Sequence, residues 1–149
     1  MSKPGRFEYR RRARRRALQA LYQWQMTAQD VGEILTQFRQ EQDLSQVDEA
    51  FFAELVRGVA GSVAELDAVL VDILDRPLEQ VDVMERVILR MGAWELAHQP
   101  GTPYRVVLDE LVDLAHRFGD VVIRRIAKHQ RRALPGAFDG VVQTVGNGE

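Results

Sequence analysis

Apolar residues recur along this chain at helical spacing, and that pattern constrains its fold more than any other feature. Val31, Ile34, Leu35 and Phe38 fall at i, i+3, i+4 and i+7, and the series Val107, Leu108, Leu111, Leu114, Ala115 and Phe118 keeps to one helical face in the same way. The same period organises Phe51, Phe52, Leu55, Val56 and Val59. It continues through Val63, Leu66, Val69, Leu70, Ile73 and Leu74, and through Met84, Val87, Ile88, Met91, Trp94 and Leu96. An earlier helix presents Ala13, Ala17, Ala20, Leu21 and Trp24 on one face, flanked by Leu18 and Tyr22. No segment alternates as a half-buried strand does. The sequence therefore predicts an all-α protein of six amphipathic helices before residue 120, joined by short loops.

Start and stop signals place the helix ends. Asp30 with Glu33, Ser62 with Glu65, and Asp82 with Glu85 have capping-box spacing, and Asp48 can cap the helix after it. Thr102 followed by Pro103 predicts a cap with proline in the first turn, after a turn at His98–Pro103. Gly119 is the expected stop. Arg76-Pro77 breaks the pattern, because the residue before proline is driven from the helical region. The division expected on this basis is a basic, flexible segment 1–9, an N-terminal helical subdomain 10–76, and a C-terminal helical subdomain 77–133. Residues 134–149 are expected to be a disordered tail. Val121–Lys128 can be helical, but the period decays there, which leaves the last helix doubtful.

Charge is distributed unevenly. The whole chain carries a net −2 over 149 residues, yet residues 1–16 hold eight basic side chains against Glu8, a net +7, which leaves −9 for the rest. Six arginines, Arg10, Arg11, Arg12, Arg14, Arg15 and Arg16, occupy seven positions at the mouth of the first helix. Consecutive positions fan around a helix, so these arginines cannot share one solvated face. Their charge also adds to the positive end of the helix dipole. A phosphate chain relieves both strains. Guanidinium forks onto phosphate and stacks on unpaired bases, which favours single-stranded RNA. The competing reading is a helical adaptor for protein interactions whose arginine run is a solvated tail.

Other chemistry has little footing. There is no cysteine, which excludes disulfides and thiolate sites and fits a cytoplasmic location. No apolar run reaches the roughly 20 residues of a membrane span. His98, His116 and His129 lack metal-ligand spacing, and Asp109, Glu110 and Asp113 read as a solvated acidic face. Neither a phosphate-binding glycine loop nor a nucleophile elbow is present. No catalytic residue, metal or cofactor is expected. Trp24 and Trp94 read as core, Tyr22 lies at the edge of its apolar stripe, and Glu85 can simply complete a capping box.

Three stretches, "RRRARRRALQALYQWQ", "VDVMERVILRMGAWEL" and "TPYRVVLDELVDLAHRFG", together resemble the NusB family of bacterial transcription antitermination factors, in register over about residues 6–119. The resemblance implies two packed three-helix subdomains and binding of boxA-like single-stranded RNA in rRNA transcripts through the first helix. It further implies partnership with the ribosomal protein NusE in a transcription elongation complex; homodimerisation of the chain free of its partner is left open. Arg10, Arg11, Arg12 and Arg14 fall on the family's basic motif, with Lys3, Arg6 and Arg15 as further RNA-binding candidates. Tyr22 and Glu85 fall on positions expected to face NusE. RNA-modifying methyltransferases carry a similar domain, but this chain has no room for their catalytic domain. After Gly119 the sequence departs from the family pattern. Lys128–Ala133 can be encoded so that the next reading frame gives Ser-Ile-Asn-Gly-Val, close to the family's motif there, and this suggests a frameshift. The nucleotide sequence of the gene decides that point.

Overall fold

The computed structural model describes residues 5–118, and within them every regular element is helical. They form α1 (Arg6–Thr27), α2 (Val31–Glu41), α3 (Glu49–Gly61), α4 (Val63–Ile73), a 3₁₀ turn (Leu78–Gln80), α5 (Val83–His98) and α6 (Tyr104–Phe118). Lys3, Gly119, His129, the expected helix Val121–Lys128, the segment Lys128–Ala133 and the tail 134–149 lie outside the described residues.

The chain divides into two compact units at Gly61–Ser62, whereas the sequence placed the division at Pro77. The difference comes from α4, which packs on α5 and so belongs with the second unit. Residues 6–9, expected in a flexible segment, are the first turn of α1.

In the first unit α1 packs mainly on α3, and α2 closes the third side. Ala13, Ala17 and Ala20 are fully buried and let the helices approach closely, while Leu18, Leu21, Ile34, Leu35, Phe52, Leu55 and Val56 fill the space between them. The Phe38 and Phe52 rings stack at 5.8 Å. Two caps form as expected. The Asp30 side chain accepts from the Glu33 N–H at 3.3 Å and that of Asp48 from the Phe51 N–H at 3.0 Å. α1 ends on Ala28 in the left-handed conformation, φ 56°, with its N–H donating to the Trp24 carbonyl. Trp24 is only half-buried. It lines an open cleft with Asp30 and Arg57, because the chain turns away at Ala28 just beyond it.

In the second unit α5 lies between α4 and α6. Gly92 lets α6 approach. A Cβ there would lie 2.9 Å from Leu111 Cδ1. α5 is buried at every residue from Val87 to Leu96, charged ones included. Arg90 forks onto Asp67 of α4, with Nε and Nη2 donating at 2.7 and 2.8 Å. Trp94 is in the core as expected, stacked at 5.1 Å on His98, which closes the last turn of α5 rather than sitting in a loop.

Several helix starts differ from the sequence reading. Ser62 makes no side-chain cap, because its φ of −127° and ψ of 19° are not the extended backbone a cap needs. Asp82 accepts from Met84 N–H rather than Glu85 N–H. α6 begins at Tyr104, and the carbonyl of Pro103 accepts from Val106 and Val107. Pro103 therefore takes the capping position expected of Thr102. Phe118, expected in the core, is 38% exposed.

Candidate nucleic-acid interface

The arginine run is helical throughout, and its register sorts it. The spacing i, i+4, i+7, i+11 that carries Leu21 and Ala17 runs back through Arg14 to Arg10. These two arginines consequently point along the core face of α1, towards the start of α3. The Arg10 guanidinium lies 4.6 Å from the centroid of the Phe51 ring, and that of Arg14 lies 5.3 Å from it. Phe51 and Arg14 are each 2% exposed, so this is a desolvated cation–π arrangement, the stronger kind.

The loop between α2 and α3 holds further arginines. Leu44 and Val47 bury their side chains and pin it down, and the Asp48 N–H donates to the Tyr9 carbonyl of α1 at 3.1 Å. The loop thereby presents a row of oxygen acceptors to the basic helix. Arg10 Nε lies 3.6 Å from Asp48 Oδ2, and Arg12 Nη1 donates to Gln46 Oε1 at 2.7 Å. Arg12 also pairs with Glu8 one turn earlier, at 3.6 Å. Glu8 sits in the first turn, where a carboxylate suits the helix dipole and eases the positive crowding. Asp43 is held below its usual 3.8, first by the Ser45 hydroxyl and then by the Ser45 N–H; partial desolvation opposes them, and Arg16 adds the least of these effects.

The candidates thus fall into different settings. Arg6 is exposed, Arg11 and Arg15 are half-buried on the flank that leads to Tyr22, and Arg12 is half-buried beside the loop. Arg14 is inside, so its guanidinium supports the surface rather than forming it. Tyr22 is half-buried on α1, as the edge of an apolar stripe should be. Glu85 belongs to α5 in the other compact unit and is 5% exposed. Sequence reading did not single out Phe51 as more than core, nor Gln46 and Asp43 as anything. The register of Arg10 and Arg14 with Ala17 and Leu21 was the available signal for Phe51's second role. Among the described residues no cluster of three His, Asp or Glu side chains could hold a metal ion, and no helix is long and apolar enough to cross a membrane.

The model of the NusB family matches residues 11–124. The chain belongs to the NusB family. A transcription antitermination protein NusB from Nitrosococcus oceani is 48% identical over 136 residues, which span 91% of this chain and 86% of that one. Among solved structures, NusB of T. maritima superposes with a TM-score of 0.72 at 23% identity, over 96% of this chain and 93% of that one. NusB from a complex of the antitermination factors NusB and NusE with dsRNA gives 0.70 at 20% identity, over 91% and 97%. These NusB structures share the all-α fold seen here, and the segment that matches the family takes in the arginine-bearing helix from Arg11 onwards.

Proposed function

We propose that this NusB-family chain is a non-catalytic, cytoplasmic, RNA-binding transcription antitermination factor. It binds boxA-like single-stranded RNA in rRNA transcripts, acts there with the ribosomal protein NusE, and works within the transcription elongation complex. The observation that carries the reading is the arginine run mounted on a fixed support. α1 is anchored through Phe51 and the α2–α3 loop, so its outward guanidinia are presented from a rigid helix and not from a solvated tail. Support for an RNA-binding antitermination role also comes from the relatives, which are transcription antitermination proteins, and from the fold neighbour solved with NusE and dsRNA. The acidic remainder of the chain, −9 outside residues 1–16, suits a basic ribosomal partner.

In this mechanism Arg6, Arg11, Arg12 and Arg15, with Lys3 ahead of them, neutralise phosphates and stack on bases, while Arg10 and Arg14 fix the helix beneath them. Tyr22 contacts NusE from the same helix. Glu85, buried on α5, is the second residue that the family resemblance assigns to NusE. Titration of boxA-like RNA, with and without NusE, tests the reading. If about five phosphates are contacted, log K falls against log salt with a slope near −3.5, from the single-strand coefficient of about 0.7 per phosphate. Arg11→Ala and Arg15→Ala should each reduce the slope by about 0.7, with little effect on stability. A salt-independent affinity would overturn the proposal.

A further inference from the structure

Phe7 is the one large apolar side chain in the first two turns of α1, and it is 52% exposed. Its spacing explains why. Phe7, Arg11, Arg14 and Leu18 stand at i, i+4, i+7 and i+11, on a strip that reaches the core only at its far end. Leu18 is fully buried and Arg14 nearly so, Arg11 is half-buried, and Phe7 lies beyond the edge where the core stops. The ring is held in place nonetheless, with the Arg11 guanidinium 5.8 Å from its centroid. Arg6 precedes it and Arg10 follows three residues on. An exposed aromatic face is thus set inside the most basic patch of the chain.

We infer that Phe7 is a base-stacking residue, which receives one unpaired base of a single-stranded RNA while Arg6 and Arg11 hold the flanking phosphates. The inference rests on the RNA reading above and deepens it. Arginines alone attract any polyanion, duplex or single strand. An aromatic ring adds a contact that only an unstacked base can make, since the bases of a duplex already stack on one another. Stacking on an aromatic side chain is sequence-tolerant, so Phe7 confers preference for single strands, not for a particular base.

The test uses the full chain, its Phe7→Ala and Phe7→Trp variants, and three probes: a single-stranded RNA with a boxA element, an RNA duplex of the same length, and polyphosphate. Phe7→Ala should bind the single strand roughly tenfold more weakly, within the range alanine substitution gives for one stacked base. Its affinity for duplex and polyphosphate, its salt slope and its melting temperature should stay unchanged, since an exposed side chain contributes little to the fold. Phe7→Trp should retain single-strand binding and show emission quenching beyond that of the unsubstituted chain, with RNA but not with polyphosphate. Equal loss on all three probes, unchanged single-strand affinity in Phe7→Ala, or a loss confined to NusE binding would each overturn the assignment while leaving the RNA reading intact. If the unsubstituted chain fails to bind the single strand, the RNA reading falls and this inference with it.

Discussion

α1 and α5 each bury an arginine, and they do so in opposite ways. Arg90 of α5 meets a carboxylate that forks with it at 2.7 and 2.8 Å, so the charge is matched where it is buried. Arg14 of α1 lies against the ring of Phe51, which it shares with Arg10. A ring attracts both guanidinia through its quadrupole without cancelling their charge, and Arg10 also reaches the Asp48 carboxylate at 3.6 Å. α5 is a structural element whose charge is consumed internally. α1 orders its arginines and still presents a positive field, which is what a polyanion-binding helix needs.

The largest effect comes from removing the match in α5. Asp67→Ala leaves Arg90 buried, with a side chain 6% exposed and without its carboxylate. Breaking such a pair destabilises by about 3 kcal/mol or more, readable as a lower urea midpoint at unchanged slope. The Asp67→Ala, Arg90→Met pair should recover much of that loss, because the double change removes both charges. If Asp67→Ala is silent, the fork does not stabilise α5 and the contrast with α1 disappears.

The ring under Arg10 and Arg14 acts as a cation support as well as core. Phe51→Leu keeps an apolar side chain and removes the π face. The expected loss is about 1–2 kcal/mol, part of it from imperfect packing. A double-mutant cycle with Arg14→Met separates the two parts: a coupling of about 1 kcal/mol assigns the ring a role beyond volume, and a coupling near zero reduces Phe51 to core.

How far these arrangements could be read from the sequence follows from the same contrast. Helical period located all six helices because one face of each is apolar, and the caps at Asp30 and Asp48 formed as their spacing implied. The site was legible as an arginine run on a helix. Its internal sorting was not, because it depends on which residues of a distant loop return to α1. Leu44, Gln46 and Val47 have no period of their own, and the contacts that fix the loop against the helix, Asp48 N–H to Tyr9, Arg12 to Gln46 and Arg10 to Asp48, join residues far apart in the chain. The burial of Glu85, Arg90, Glu95 and Glu110 was likewise unreadable, since a charged residue on an amphipathic helix is ordinarily assigned to the solvent face. The division at Gly61 was missed because Pro77 is a strong local break, whereas the partner chosen by α4 is decided by packing.

The smallest effect lies at the loop itself. The folded chain holds Asp43 below its ordinary value of 3.8, and the Ser45 hydroxyl outranks Arg16 among the causes. A carboxylate with a depressed folded value contributes stability above its unfolded value and loses it as pH falls through the folded one. The window therefore lies on the acid side of 3.8. An NMR titration of the Asp43 carboxyl should give a midpoint below that value. Ser45→Ala should raise it more than Arg16→Gln does, because the hydroxyl is a direct hydrogen-bond donor while Arg16 acts through solvent on an exposed group. The reverse order would mean that Arg16 also grips the loop by charge, as Arg10 does at Asp48. α1 would then spend more of its charge on its own fold and keep less of it for a partner.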